Sequence, residues 1–456
     1  MRHPGAQHRH DRHTDDQRAD DQRADDRPSG KQPLIACEHC ASIQRRHNLR
    51  HGELATCGRC GTVLWRYSRL TLNDWLALAA ASFIVFCIAN AFPVARIEVY
   101  GAERSATLLD AIAITWRQHH WSVAVMTGTA GFALPLLQLI ALLWVLVPLA
   151  RGRMPADMAQ VCRLLGWLRP WSMVPVFLLG AIVSLVKLAS SVQVHVGLGL
   201  PAFGLLTILL TMVGRLSPRA LWRHAEDAGL TEAPEPRYLP GHVLAGCHAC
   251  GLVQDLDEYA PDGWSGRDQQ HCARCHTVLH NRKPQSLART WALMLAAAIL
   301  YIPANVLPVM RISSVVGDSS HTILGGVAEL WHGGAWDIAL IVFVASVVVP
   351  MTKLLALLLL VLRVQQGDAG GLRSRTRLYE MVEIIGQWSM LDVFVVILLS
   401  ALADFPGLMR INADAGAAAF GLVVVLTMLA AMSFDPRRAW DAEHATGASA
   451  HLKESH

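Results

Sequence analysis

Residues 338–362 form a predominantly apolar stretch whose length matches the hydrocarbon core of a lipid bilayer. At a rise of about 1.5 Å per residue, a helix of this length crosses the core of roughly 30 Å once. Lys353 lies near the middle of the stretch, where a lysine costs on the order of 2.5–3.5 kcal/mol on insertion scales. We therefore expect an integral membrane protein in which Lys353 faces protein or water instead of lipid.

Seven further apolar segments accompany this stretch. They are residues 75–95, 121–150, 171–190, 196–214, 290–310, 388–404 and 415–433. Because 53% of the residues are hydrophobic and only 17% are charged, the composition favours a membrane protein over a soluble enzyme. Hydrophilic residues precede the first segment, so we expect no signal peptide and an insertion directed by the first span. The predicted fold class is an all-α integral membrane protein with eight spans.

The second half of the chain repeats the first in order. The matched positions are Asn90, Pro93 and Arg96 with Asn305, Pro308 and Arg311, Trp116 and Trp121 with Trp331 and Trp336, Pro135 with Pro350, Gln138 with Lys353, Trp171 with Trp388, Ala202 with Ala419, and Pro218 and Trp222 with Pro436 and Trp440. Each half has an even number of predicted spans, so the two repeats point the same way across the membrane.

This repeat predicts six segments along the chain. They are a disordered tail at 1–33, a first zinc-ribbon module at 34–70, a first four-helix transmembrane domain at 71–223, a linker with a second zinc-ribbon module at 224–284, a second four-helix transmembrane domain at 285–440, and a C-terminal tail at 441–456. The N-terminal tail is rich in His, Asp, Arg and Gln and cannot build an apolar face, which is typical of a solvated, disordered segment.

Eight of the ten cysteines form four CxxC pairs, two in each module. They are Cys37, Cys40, Cys57 and Cys60 in the first module, and Cys247, Cys250, Cys272 and Cys275 in the second. Four thiolates fill the tetrahedral shell of one Zn²⁺ and leave no position for water, so two structural zinc sites are predicted. Rubredoxin-like iron and a redox CxxC pair are the alternatives, although no thioredoxin-like helix follows the motif.

Basic residues indicate the orientation. Arginines cluster before the first span, between the second and third spans of each half, and after the fourth. The positive-inside bias therefore predicts that both termini and both cysteine modules are cytoplasmic. On the opposite side, the loops 96–120 and 311–335 each predict a short hairpin followed by an amphipathic surface helix. These loops either cap the bundle or form a docking face, and the sequence leaves both readings open.

Polar side chains within the predicted spans are the candidate transport residues. They are Lys353, Asp392, Ser389 and Thr427 in the second half, and Gln138, Ser172, Thr211 and Lys187 in the first. Intramembrane polar residues mark function by default, whereas hydroxyls and amides also hold helices together by hydrogen bonds. We expect function for Lys353 and Asp392 and helix contacts for the hydroxyls. No nucleophile–base set, phosphate loop or catalytic metal motif is seen, so no enzyme is predicted.

Taken together, these motifs resemble the paraquat-inducible protein A family over about residues 34–440. The motifs are the CxxC pairs, ANAFPVAR and ANVLPVMR, PMTKLL around Lys353, GQWSMLDVF around Asp392, and the two AFGL segments. The resemblance implies an inner-membrane protein of a Gram-negative bacterium that works with a periplasmic MCE-domain protein, as PqiA does with PqiB and LetA with LetB. It also implies a role in lipid traffic between the membranes and in envelope integrity.

The two halves differ at the polar positions of this pattern. Gln138 stands where the second half has Lys353, and Pro175 stands where it has Asp392. We therefore expect one working half and one supporting half. The predicted function is non-enzymatic phospholipid transport. A transporter coupled to ions or protons through Lys353 and Asp392 is the first alternative, and a thiol redox membrane protein is the second.

Overall fold

The computed structural model describes residues 33–441, apart from 48, 51, 100–101, 190–192, 233–235, 237–241, 258–269, 315–316, 335, 369, 387–389 and 403–408. The predicted disordered tails therefore lie almost entirely outside the described residues. Within the described part the fold is mainly helical, with short antiparallel strands at both ends of the helices. We call the end that carries the cysteines the cysteine face and the opposite end the sheet face.

The first half contains two small hairpins, a helical bundle and one three-stranded sheet. Its elements are β1 (Leu34–Ala36), β2 (Ile43–Arg45), β3 (Leu54–Thr56), β4 (Val63–Arg66), α1 (Leu72–Ala91), β5 (Ala95–Val99), β6 (Ala102–Ala106), α2 (Leu108–Arg117), α3 (Trp121–Thr127), a π-helical segment (Gly128–Ala133), α4 (Leu134–Ala150), α5 (Met158–Leu168), a 3₁₀ turn (Arg169–Trp171), α6 (Val174–Ala189), β7 (Gln193–Val196), α7 (Gly199–Val213) and α8 (Pro218–Asp227).

The second half follows the same order. Its elements are β8 (His242–Gly246), β9 (Val253–Asp257), α9 (Ser286–Val306), β10 (Met310–Ser314), β11 (Gly317–His321), α10 (Ile323–His332), α11 (Trp336–Phe343), a π-helical segment (Val344–Val348), α12 (Val349–Gln365), α13 (Leu372–Ile385), α14 (Leu391–Leu402), β12 (Met409–Ala413), α15 (Ala415–Ser433) and a 3₁₀ turn (Pro436–Trp440). Helix α4 and helix α12 begin and end at matched positions, as the sequence repeat predicts.

Local chemistry sets where the helices begin and bend. The Thr71 hydroxyl accepts a hydrogen bond from the Asp74 backbone, and the Asp74 carboxylate accepts one from the Thr71 N–H, so a capping box starts α1. Pro135 and Pro350 each stand in the first turn of α4 and α12, directly after a π-helical segment. Proline lacks the N–H that would donate the backbone hydrogen bond of a regular helix. A π-helical turn before the proline changes the hydrogen-bond pattern locally, and the helix continues through it.

Among the described residues, six helical stretches are long and apolar enough to cross a membrane. They are Leu72–Ala91, Trp121–Ala150, Met158–Val186, Ser286–Val306, Ala339–Gln365 and Ala415–Ser433. Helix α7 has 15 residues and passes the same test only together with α8, from which it is bent by 57°. Helix α14 has 12 residues and is roughly 18 Å long. The structure thus establishes a multi-pass membrane protein, while the predicted count of eight spans stays a prediction.

The two predicted hairpins on the sheet face are confirmed. Strand β5 pairs antiparallel with β6, and β10 pairs antiparallel with β11. The amphipathic helices α2 and α10 follow them directly, as expected. A third strand in each half, β7 or β12, completes the sheet by pairing with β5 or β10. The sequence analysis missed these strands.

Helices α6 and α14 meet at the centre of the molecule. Every described side chain of α14 is buried, and Phe394 packs edge-to-face on Phe177 with ring centroids 5.6 Å apart. Gly180 allows this approach, because a Cβ at that position would lie 3.0 Å from the Cβ of Phe394. Small residues allow helices in a membrane to pack this closely. The third predicted spans of the two halves therefore join the halves along a shared core.

On the cysteine face the two modules are crossed: the cysteines of each module pack against the helical bundle of the other half. The cysteines of the first module pack with Leu372, Ala439 and Trp440, which belong to the second half. The cysteines of the second module pack with Leu165 and Trp222 of the first half. Each repeat therefore supplies the module that covers the other repeat's bundle.

Candidate functional site

The structure brings the eight predicted ligand cysteines together in two groups of four. One group comprises Cys37, Cys40, Cys57 and Cys60, and the other comprises Cys247, Cys250, Cys272 and Cys275. All eight are buried, and the sulfurs within each group lie within 4.8 Å of one another. Each CxxC pair lies in the turn between two short paired segments and supplies two ligands, so two such turns that face each other close the group.

The spacing of the sulfurs fits a tetrahedral metal site. The Cys37–Cys60 and Cys40–Cys57 sulfur pairs are each 3.5 Å apart, and the Cys250–Cys272 pair is also 3.5 Å apart. Zinc–sulfur bonds of about 2.3 Å place neighbouring sulfurs of a tetrahedron roughly 3.8 Å apart. A disulfide would require about 2.05 Å. The residues present therefore fit a four-thiolate metal ion.

Hydroxyl groups surround the first group and support thiolates. The Thr62 hydroxyl lies 3.1 Å from the Cys60 sulfur, and the Ser42 hydroxyl lies 3.1 Å from the Cys57 sulfur. Hydrogen bonding with Cys40 holds the pKa of the Cys37 thiol far below its usual range. In the second group, hydrogen bonding with Cys247 does the same for the pKa of Cys275. In each group the pKa of two other thiols is raised, with hydrogen bonding to a neighbouring cysteine and burial among the causes. A metal ion requires deprotonated sulfur, so binding would displace the protons that these thiols keep.

An arginine and a tryptophan connect each module to the opposite bundle. The guanidinium of Arg59, between Cys57 and Cys60, lies 4.9 Å from the ring centroid of Trp440. Arg274, between Cys272 and Cys275, lies 5.1 Å from the ring centroid of Trp222 and forms an ion pair with Glu226. These cation–π contacts occupy matched positions in the two repeats. Sequence reasoning missed them, although the repeat already paired the two tryptophans.

Lys353 is a charged side chain buried within a membrane-spanning helix. Only 2% of its surface is exposed, and it lies on α12 at the middle of the span Ala339–Gln365. Its ammonium donates a hydrogen bond to the Thr427 hydroxyl at 3.1 Å, and that hydroxyl donates in turn to the Val424 carbonyl at 2.9 Å. The structure therefore brings together two of the predicted polar residues from α12 and α15.

Gly386 completes the surroundings of the Lys353 ammonium. A Cβ at Gly386 would lie 3.0 Å from the Lys353 Nζ atom, so the ammonium rests against bare backbone between α13 and α14. Sequence reasoning missed this glycine. Its position two residues before the WSM motif that the two halves share is the signal that could have indicated it.

Of the remaining candidate transport residues, the structure describes the side chains of some and not of others. Gln138 on α4 is half-buried, and its Oε1 atom has no hydrogen-bond partner within the described structure. The hydroxyl of Thr211 on α7 donates to the Thr207 carbonyl at 2.7 Å, which is a local helix contact as expected. Asp392 and Lys187 lie in α14 and α6, but their side chains lie outside the described part of the chain, as does all of Ser389.

These features define a multi-pass membrane protein with two four-cysteine groups able to bind metal and a lysine buried among its spans. The family model described as Paraquat-inducible protein A matches the chain twice, at residues 72–226 and 287–443. The chain therefore belongs to the paraquat-inducible protein A family, as its motifs indicated.

Curated relatives cover nearly the whole chain. It is 33% identical to the intermembrane transport protein PqiA of Escherichia coli K12 over 419 residues, which cover 89% of the chain and 95% of that protein. It is 30% identical to the lipophilic envelope-spanning tunnel protein A of the same strain, over 90% of the chain and 92% of that protein. A probable intermembrane transport protein of Haemophilus influenzae is 26% identical over 89% of the chain and 95% of its own length. No solved structure matches the chain.

Proposed function

We propose that the protein is an inner-membrane component of a lipid transport system that supports envelope integrity. It would move phospholipid between the inner membrane and a periplasmic MCE-domain protein that leads toward the outer membrane. The observation that carries this proposal is the full-length similarity to proteins named for intermembrane transport and for an envelope-spanning tunnel. A protein of that role needs a polar element within the bilayer, and Lys353 supplies one.

The sheet pairing supports eight passes across the membrane. Strand β7 follows α6 and pairs with β5, which follows α1. Helices α6 and α7 therefore connect the same two faces as α1 and α4. In the second half β12 pairs with β10, which follows α9, so α14 and α15 connect the same two faces as α9 and α12. Together with the positive-inside bias, this pairing supports the proposal that the cysteine face and both termini are cytoplasmic and that the sheet face is periplasmic.

The sheet face is the proposed docking surface for the MCE-domain partner. Four matched tryptophans near this face are more than half exposed: Trp116, Trp121, Trp331 and Trp336. Tryptophan is typical both of the membrane interface and of protein contact surfaces. Capping of the bundle by the sheets and contact with the partner are compatible roles for this face.

We assign one structural Zn²⁺ to each four-cysteine group. Four sulfur ligands leave no open coordination position, so the metal would hold the module together and perform no chemistry. We also propose the domain limits expected from the sequence. The first module covers residues 34–70, and the linker with the second module covers 224–284. The transmembrane domains cover 71–223 and 285–440. A thiol redox role is the weaker alternative, because the thiols group by fours and not as separate pairs.

Within the bilayer, Lys353 is the residue on which transport depends in this proposal. Its ammonium has three donors, and the described residues provide one acceptor, Thr427. A phosphodiester headgroup entering beside Gly386 would meet the remaining donors, and Asp392 would adjust the charge of the site. Coupling to an ion or a proton is the competing function, and the same buried lysine favours it.

Affinity purification from native membranes tests the proposal. The protein, extracted in a mild detergent, should retain an MCE-domain partner, about two zinc ions per chain and bound phospholipid. Mass spectrometry and elemental analysis of one sample measure all three. Protein that carries neither partner nor lipid would contradict lipid transport. Activity that follows membrane potential or pH in proteoliposomes, without lipid movement, would establish the ion-coupled alternative.

A further inference from the structure

A cavity of about 1100 Å³ lies between the two cysteine modules on the cysteine face. Its walls come from the first module, the second module, α8 and the segment after α8, which contributes Thr231, Glu232 and Pro236. The modules touch directly at its edge, because a Cβ at Gly246 would overlap the Cβ of Ala36. The cavity therefore exists only because the two repeats fold onto each other, and neither module forms it alone.

Arginines and carboxylates line this cavity, and most of them are paired. Arg46 forms an ion pair with Asp227 at 2.9 Å. Arg219 pairs with Glu38. Arg274 pairs with Glu226, as noted above. These three ion pairs connect both modules to α8 and so fix the walls of the cavity. The carboxylates in them are already paired with arginines.

Two lining arginines keep no such partner. Arg223 is half-buried and lies one turn after Arg219 on α8. Within the described structure it forms no hydrogen bond and no ion pair. Burial lowers the pKa of its guanidinium, and the nearby charge of Arg46 acts in the same direction, while the carboxylates of Asp227 and Glu226 partly oppose the shift. Arg45 on β2 is exposed to the cavity and is likewise unpaired among the described residues.

We propose that this cavity is a binding site for a phosphate-bearing anion held by Arg223 and Arg45. A guanidinium presents a planar fork of donors that matches the oxygens of a phosphate group. An anion would give the half-buried Arg223 guanidinium the hydrogen-bond acceptor that the described residues do not provide. The volume is in the range of small-molecule sites. This inference goes beyond the proposed transport function, because no residue of the intramembrane site takes part.

The anion has two possible sources. Helix α8 begins at Pro218, five residues after α7 ends at Val213, and its bend of 57° from α7 places it beside the end of a membrane helix. The headgroup of an anionic phospholipid can therefore reach the cavity from the bilayer surface. A free phosphate ester in solution can also enter it, because the cavity is open to the cysteine face. Both ligands share the chemistry that the arginines recognise.

Binding measurements on the purified full-length protein test this site. Calorimetry with inorganic phosphate probes the free anion, and native mass spectrometry with phosphatidylglycerol, against phosphatidylethanolamine, probes the headgroup. The test variants are Arg223→Gln and Arg45→Gln. The control is Arg215→Gln, which removes an exposed arginine outside the cavity lining. Metal content and circular dichroism verify that each variant folds.

We expect the wild-type protein and Arg215→Gln to bind at least one probe, and Arg223→Gln to bind it roughly tenfold more weakly. Arg45→Gln should weaken binding in the same direction and, being exposed, keeps the test valid if Arg223→Gln misfolds. Phosphate binding identifies a free anion, and selective retention of phosphatidylglycerol identifies a headgroup. Binding of neither probe, or equal binding by all variants, would overturn the proposal. The transport proposal would be unaffected.

Discussion

Lys353 carries a cost that packing alone does not explain. A charged side chain at the centre of a span is expensive, and the residue is 98% buried with a single described hydrogen bond, to Thr427. A methionine of similar volume would fill the same space without that cost. A residue retained against such a cost is best explained by what the bundle does, not by how the bundle is held together.

Replacing Lys353 by Met should therefore separate function from stability. We expect Lys353→Met to unfold at an equal or higher temperature, while envelope protection in a complementation assay falls at least about tenfold. The matched control is Gln138→Met in the first half. This variant removes a buried acceptor without a partner and should keep full activity. Loss of stability in Lys353→Met with activity intact would contradict the assignment.

Gly386 offers a second test at the same site. Gly386→Val adds a side chain where the Lys353 ammonium now lies, at 3.0 Å from the added Cβ. We expect it to displace the ammonium and to impair transport as strongly as Lys353→Met. Gly204→Val on α7 is the control, since nothing lies within 4 Å of its added Cβ. Equal activity of both variants would show that the space beside Gly386 is not used.

At the scale of elements, the crossed modules make a prediction about hydrogen exchange. Cys60→Ser should remove one metal ion per chain and speed exchange in α13 and in the 3₁₀ turn Pro436–Trp440, which the first module covers. Cys275→Ser should instead speed exchange in α5, which packs with the second module. The two variants are controls for each other. The reverse pattern, with each module protecting its own repeat, would contradict the crossed packing.

The hairpins and surface helices of the sheet face could be predicted from the sequence, but the third strands, β7 and β12, could not. Strands β5 and β6 are close in sequence, and their alternation is local information. Strand β7 pairs with β5 across nearly a hundred residues, and its short segment QVHV carries no distinctive pattern. Pairing at that distance is decided by the bundle that brings the strands together.

The crossed packing of the modules could not be predicted from the sequence, for a different reason. Both repeats contain an arginine between the last two cysteines and a tryptophan after the last span. The pattern is identical for a module that covers its own bundle and for one that covers its partner's bundle. Only the three-dimensional arrangement distinguishes Arg59 on Trp440 from Arg59 on Trp222. The cysteine groups themselves were fully predictable, because their ligand spacing is local.

At the scale of the whole molecule, the two halves are joined at three levels. Helices α6 and α14 share the central core, the modules cross on the cysteine face, and Ser400 donates to Gln118 at 3.0 Å near the sheet face. A protein joined in this way should unfold as one unit. We expect a chelator strong enough to remove both metals to lower the midpoint of thermal unfolding of both halves together, as followed by proteolysis. Independent melting of one half would contradict this.

Retention of phospholipid by the purified protein tests the central claim most directly. Wild-type protein, Lys353→Met and Gln138→Met would be washed with the same delipidating detergent and analysed by lipid mass spectrometry. Lipid transport through the second half predicts that wild type and Gln138→Met keep bound phospholipid and that Lys353→Met loses it. Equal loss from all three proteins, or equal retention, would contradict the claim that Lys353 holds the transported lipid.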